Sequence, residues 1–358
     1  MFHSLRAFTS RLRQLAGLSG SDFFAGAEDR WQVAPAETMQ YRRSLVLPGQ
    51  VERIRASIFA PLPETLHALV EEEVCEEGPT MAWRLREVDL VDGVLYHGGA
   101  EYHLRARERR FGLTPRPESR ISGALYEDWS ANRWFGSWLM DACVAYDLAE
   151  AAGRPVSGAA SPVGSHKARY EDLLGMSPER VEGDVHFTEL VMFDDFANNS
   201  HRARRQDALR CRLLEGRSPR PVAGVFLLRG SAGEARLLEN ELDLAEALVA
   251  ERGFLAIDPL EASVDELIEA CGAAAAIVGV EGSHLVHGMM VAPKDAAIVP
   301  IQPPDRVAAT LKQLANRLDQ RFGLLVAEGG DGSFRLERDE LMATLDLFGR
   351  DAPPARFA

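Results

Sequence analysis

The chain has 358 residues, of which 46 % are hydrophobic and 26 % charged, and its formal net charge is -14. That length exceeds one typical core and points to two domains of roughly 150–200 residues each. A surface this acidic repels phosphate backbones, which argues against nucleic acid as a partner. The four cysteines (Cys75, Cys143, Cys211, Cys271) match no CxxC or Cys/His ligand spacing, so they read as reduced thiols and not as a disulfide framework or zinc site. No stretch approaches the roughly 18–20 uninterrupted apolar residues of a membrane span, and the N-terminus lacks the apolar run of a secretory signal. These features place the chain in the cytoplasm.

In chain order, Met1–Leu18 sets Leu5, Phe8, Leu12 and Leu15 on one helical stripe, with Arg6, Arg11 and Arg13 elsewhere. Residues 1–30 are read as an amphipathic N-terminal segment, either docked on its own domain or resting peripherally on the anionic inner face of a membrane. An N-terminal α/β domain over 31–205 follows. Val51–Phe59 and Glu87–Tyr96 carry strand-like runs, the second broken by an Asp92–Gly93 turn. Pro61–Ala68 opens a helix, and Glu71–Glu77 and Arg105–Arg110 are charged runs that read as solvated surface. Trp134–Ala151 has helical periodicity and stops at Gly153-Arg154-Pro155, and Ser157–Ser165 is a loop.

The second domain, 206–350, is more regular. After a helix at Ala203–Leu214 and a linker at Arg217–Pro221, Val222–Leu228 is a continuous apolar run of the kind buried on both faces of a sheet. A helix from about Asn240 to Arg252, a strand at Phe254–Ile257 and a helix to Cys271 follow, the last opened by a Ser263/Glu266 capping box. Ala274–Val280, Ala296–Ile301 and Leu324–Ala327 read as further strands, and Ser283–Val291, Val307–Gln320 and Glu337–Phe348 as helices. This alternation makes βαβ units and hence a parallel sheet covered on both faces.

Ligands bind such sheets beyond the carboxyl ends of the strands, and two of these ends are polar. Glu281-Gly282-Ser283-His284 follows one strand and opens a helix: glycine permits close backbone approach and a helix N-terminus favours an anion such as a diphosphate. A simple turn with a serine cap accounts for the same residues. His284 and His287 share a helical face, with Glu281 in the turn before them. At the other end stands Arg229, followed by Arg236, Asn240 and Glu241, where arginine can grip phosphate oxygens in bidentate fashion or form a surface ion pair beside an Asn cap. There is no GxGxxG after a strand, no GxxxxGK[ST] loop and no GxSxG elbow, and no two aspartates are separated by a single residue.

The series Arg229…Arg236…Asn240-Glu241, Gly253-Phe254, Val278–His287 and Ala292-Pro293 resembles the family-61 glycosyltransferases, the group that includes bacterial capsular polysaccharide biosynthesis proteins. Phe135-Gly136-Ser137-Trp138-Leu139-Met140-Asp141 resembles the family's aromatic segment in the N-terminal domain. The resemblance implies a GT-B-like α/β architecture, two Rossmann-like domains facing a cleft. It implies inverting transfer from a nucleotide-sugar donor to a glycan or lipid-linked glycan acceptor, with no metal and no cofactor beyond that donor. Arg229, Arg236, Asn240, Glu241, Glu281, Gly282, Ser283, His284 and His287 would line the donor pocket. Asp141, standing where the family carries an acid, would be the general base, with a solvent-facing helical carboxylate as the plainer reading. Three departures stand out: Ser137 where the family commonly has His, Gly230 where a second basic residue is frequent, and Lys294 where Gly is usual. They keep open a non-catalytic nucleotide-sugar-binding or scaffolding partner in polysaccharide assembly. A methyltransferase or reductase on the same fold is a third reading.

Overall fold

The structure, a computed structural model, describes residues 3–4, 22–70, 74–108, 114–115, 117–158, 161–230, 236–330 and 332–350. Of the apolar stripe at Met1–Leu18 only His3–Ser4 is described, as a short strand; the rest of it, the arginines at 109 and 110 and the tail from Asp351 lie outside the described residues. The chain divides into two compact units, one of 1–37 with 77–205 and one of 38–76 with 206–358. Both mix helices and strands, so the class is α/β.

The first unit is built on β1 (Thr80–Val91), β2 (Val94–His97), β3 (Ala100–His103), β4 (Ser119–Leu125), β5 (Pro155–Ser157), β6 (Glu179–Arg180) and β7 (Val185–Asp194). Their order is β6-β5-β4-β7-β1-β2-β3, and Asp29–Ala34 also pairs with β1. Strands β6, β5, β4 and β7 run parallel; from β7 through β1 to β3 the pairing is antiparallel. The sheet is therefore mixed, unlike the parallel sheet of a Rossmann domain. The antiparallel half follows from the Asp92-Gly93 turn: both residues have positive φ (50° and 74°), the geometry of a tight hairpin that matches strand twist. Leu85, Leu95, Leu125, Val156, Phe187 and Leu190 form the core on one face. The helix expected over 134–151 is present but irregular. A π turn at Trp138–Ala142 precedes α1 (Cys143–Ala152), which ends at Gly153.

The second unit carries β8 (Val225–Leu227), α2 (Glu241–Arg252), β9 (Leu255–Ile257), α3 (Val264–Cys271), β10 (Ala276–Val280), α4 (Val286–Val291), β11 (Ala297–Gln302), α5 (Thr310–Arg317), β12 (Arg321–Val326) and α6 (Arg338–Arg350). In the main sheet every pairing is parallel, in the order β9-β8-β10-β11-β12, with Leu45–Val46 added at the β12 edge; a small separate sheet pairs Glu328–Gly330 antiparallel with Ser333–Arg335. Strands β10 and β11 are buried at every position, which explains why they are apolar throughout and do not alternate. The capping box of α3 forms as its residues predict, with Ser263 N–H donating to Glu266 at 2.8 Å and Glu266 N–H donating to Ser263 Oγ at 3.3 Å.

Numbered within this sheet alone, the order is 2-1-3-4-5, so the chain reverses its winding direction between β8 and β10. That switch point leaves a crevice beyond the carboxyl ends of these two strands.

Residues 38–76, assigned from sequence to the N-terminal domain, lie with the second unit. Val51–Phe59, read as strand-like, forms only a 3-10 turn at Val51–Arg53 and a single bridge from Ser57 to Val307. The cause is side-chain commitment: Arg53 donates to the Val326 carbonyl and the Glu340 carboxylate, and Arg55 to the Gly329 carbonyl, which pins the segment as a coil. The acidic run, read as solvated surface, ends in a short strand, Val74–Glu77. All four cysteines are free.

Candidate functional site

The crevice between β8 and β10 is where the sequence-derived polar residues converge. The chain leaves β8 at Leu228-Arg229, and Glu241, at the start of α2, receives the N–H groups of Arg229 and Gly230, both at 2.8 Å. One carboxylate thus fixes the turn that aims Arg229. From β10 the chain passes into Glu281-Gly282. Arg236 donates to the Glu281 carbonyl at 2.8 Å and also pairs with its carboxylate. Arg306, in the loop after β11, reaches the same carboxylate at 3.3 Å. Three guanidinium groups therefore converge with two carboxylates, one of which is already held by backbone amides.

Gly282 lies between these groups and Arg229. A Cβ there would stand 2.5 Å from Arg229 Nη1 and 3.1 Å from His284 Nδ1, so any larger residue would displace the guanidinium from its present position. The electrostatics report a site with excess positive charge. Burial, and next the Arg236 guanidinium, push Arg229 down to about 10, far below the usual arginine range. Burial and then Arg229 push the His284 imidazole down to about 3, with the Leu227 carbonyl opposing.

The imidazole is thus neutral in the folded protein well below the ordinary histidine range. Between about pH 6.5 and 3 the unfolded chain binds this proton and the folded chain does not, so stability falls as pH drops through that window. Urea midpoints at pH 7 and pH 5 check this: His284→Gln is expected to lose less stability over that interval than the wild type.

The remaining sequence candidates fall at different distances from this chemistry. Asn240 stands at the start of α2, but its side chain does not cap the helix; its amide group bonds the Leu336 carbonyl at 2.8 Å and the Leu336 N–H at 3.3 Å, a structural pin. Ser283 and His284 open a 3-10 turn, Ser283–Leu285, before the short helix α4, in which His287 is buried. The helix expected to begin at Ser283 is thus short, and the arginines bring more positive charge than its terminus does. Arg306 was missed from sequence. Its one signal was position: it follows Gln302-Pro303-Pro304-Asp305, directly beyond the carboxyl end of a strand.

Asp141 lies in the first unit, in the π turn that interrupts the helical run. Its Oδ1 is 2.5 Å from Arg202 Nη2, and its side chain remains 30 % exposed, so a reactant can reach it. It lines a pocket with Tyr126, Glu127, Asp128, Asp195 and Arg202, at the carboxyl end of β4. Asp128 caps the following turn through the Ala131 N–H at 2.7 Å; burial, and to a lesser extent Asp141, hold its carboxyl above the usual range. Asp195 is buried and receives Arg205 at 2.6 Å and Thr80 at 2.9 Å. Among the described residues, no cluster of three or more His, Cys, Asp or Glu side chains is arranged to hold a metal ion, and no helix is long and apolar enough to cross a membrane.

Residues 135–299 match the model of a family described as Glycosyltransferase 61. The matched span begins at Phe135 and includes Asp141, Arg229 and Glu281; it covers a little under half of the chain. The match supports that family, and with it a glycosyltransferase, whose substrates are a donor and an acceptor. No curated protein matches the chain. Among solved structures, an apo-form NADH:FMN oxidoreductase (EMOB) is 12 % identical over 38 % of this chain and 92 % of its own, with a TM-score of 0.24. The metal-soaked flavodiiron core Flv1 from Synechocystis sp. PCC6803 is 12 % identical over 75 % of this chain and 62 % of its own, with a TM-score of 0.26. Neither likeness bears on what this chain does.

Proposed function

We propose that the protein is a metal-independent glycosyltransferase that grips the diphosphate of a nucleotide sugar in its second unit and transfers the sugar, with inversion, to a hydroxyl group of a glycan or lipid-linked glycan. The observation that carries the reading is the convergence of Arg229, Arg236 and Arg306 at the switch point, with more positive than negative charge among them. The resemblance implies a GT-B organisation; the reading keeps its division of labour, donor on the second unit and acceptor on the first, with a first unit whose mixed sheet departs from a Rossmann domain. It also includes a role in capsular-type polysaccharide synthesis, on the cytoplasmic side and in peripheral contact with the inner membrane face.

The chemistry runs as one displacement. Asp141 takes the proton of the acceptor hydroxyl as its oxygen attacks the anomeric carbon from the face opposite the diphosphate. The bond from that carbon to the phosphate oxygen breaks and its electron pair leaves with the nucleoside diphosphate. The three guanidinium groups stabilise the charge that develops there, which is the work a metal does in other transferases. Arg202 holds Asp141 in place.

A second reading, a nucleotide-sugar-binding partner without turnover, is favoured by two observations: Ser137 stands where the family commonly has His, and the Asp141 carboxylate is already paired with Arg202. Asp141→Asn separates the two. If Asp141 is the base, the variant is expected to keep the donor affinity and lose about a hundredfold or more in release of nucleoside diphosphate from the bound donor. Equal release by both proteins would remove Asp141 from that role, and tight donor binding with no release by either would favour the binding partner.

A further inference from the structure

Phe59 lies at the edge of the arginine crevice, in the same unit, and three of its properties need a common cause. Its ring is 60 % exposed, although a large aromatic group gains most from burial. Its backbone has φ of 73°, a left-handed conformation that is costly for a bulky residue and that glycine or asparagine would adopt more easily. Its ring centroid is 5.9 Å from the guanidinium carbon of Arg306, the arginine that also reaches Glu281.

The surrounding backbone holds this conformation in place. Arg55 N–H donates to the Pro304 carbonyl at 2.7 Å, Ile58 N–H to the Val307 carbonyl at 3.0 Å and Val307 N–H to the Ala56 carbonyl at 3.0 Å. Ser57 Oγ donates to the Ala60 carbonyl at 2.8 Å. Phe59 is thus set on a short segment stitched to the loop that carries Arg306, and strain kept by its surroundings is a mark of a working position.

We propose that Phe59 is the stacking platform for the base of the nucleoside diphosphate whose phosphates lie on the arginines. Arg306 stands between the two subsites: one side of its reach is the anion crevice, the other is the ring. A nucleoside diphosphate carries phosphates and an aromatic base joined through a sugar, and so has parts that match the two subsites in that order. Stacking on a phenyl face tolerates every base, so Phe59 sets affinity for nucleotides as a class and leaves base identity to other groups.

This inference rests on the donor-site reading above, and the experiment separates the two. Binding of UDP, GDP, CDP, dTDP and inorganic pyrophosphate is measured by calorimetry on the wild type, Phe59→Ala and Phe59→Trp. Phe59→Ala is expected to weaken the favoured nucleoside diphosphate about tenfold or more, Phe59→Trp to retain its affinity, and pyrophosphate to bind all three proteins alike. An unchanged nucleoside diphosphate affinity in Phe59→Ala overturns the platform and leaves the anion site standing. Pyrophosphate weakened in step with the nucleotide also overturns it, because the substitution would then have damaged the anion site. A wild type that binds none of these anions overturns both.

Discussion

Replacement of Arg229 by alanine is expected to weaken binding of the nucleotide-sugar donor by at least about tenfold while leaving the unliganded protein as stable as the wild type or more so. The two halves of this result have one origin. Arg229 is buried beside Arg236 and within the field of Arg306, and its depressed pKa records that the folded protein without ligand disfavours its charge. Removing it relieves that repulsion. In the complex the same charge faces phosphate oxygens, where a charge-assisted hydrogen bond contributes roughly 1.5–3 kcal/mol. Calorimetric affinity and a thermal midpoint measured on the same preparation check both halves. An arginine with a purely structural role would give the reverse, a lower midpoint and an unchanged affinity.

Glu281→Gln is expected to act in the opposite sense. Its carboxylate is buried and pairs with both Arg236 and Arg306, and its carbonyl receives Arg236 as well. Neutralising it leaves three guanidinium groups facing one carboxylate that is already bound to amides. Breaking a buried pair from one side costs about 3–5 kcal/mol, because the charge left behind remains desolvated. A loss of about 3 kcal/mol in urea unfolding is the expected result, and millimolar inorganic pyrophosphate should restore part of it by supplying the missing negative charge. An unperturbed variant would mean that the crevice is well solvated and its charge screened.

The second unit was far more legible in sequence than the first. Strands such as Ala276–Val280 are apolar throughout because both faces are covered, and a capping box states its own helix start, so local signals sufficed there. In the first unit, Ser119–Leu125 and Val185–Asp194 carry Ser, Arg, His, Thr and Glu among their apolar residues. They become strands through long-range pairing with each other and with Thr80–Val91, and no short window contains that information. Val51–Phe59 shows the converse: its pattern is strand-like, but Arg53 and Arg55 find better partners than a neighbouring strand. The helical periodicity around Asp141 was readable, whereas the π turn was not, since one added residue per turn barely changes the spacing.

For the site, residue identity was readable and geometry was not. Arg229, Arg236 and Glu281 were found because each lies just beyond or near a recognisable strand end, yet their convergence depends on the strand order 2-1-3-4-5, which is a property of the folded sheet. Arg306 comes from a different strand end, beyond Gln302-Pro303-Pro304-Asp305, and carried no local signal other than that position to set it apart. Asn240 looked like a cap and proved to be a pin to Leu336.

The most direct test of the central claim is a thermal-shift screen of the wild type and Arg229→Ala against UDP-, GDP-, CMP- and dTDP-sugars, with S-adenosylmethionine and NAD as controls. A ligand at about a hundredfold its Kd stabilises by roughly 2.7 kcal/mol, which moves the midpoint of a chain this size by several degrees. Such a shift is expected with at least one sugar nucleotide, and it is expected to disappear in Arg229→Ala. No shift with any sugar nucleotide, or a shift with a control alone, would contradict the claim.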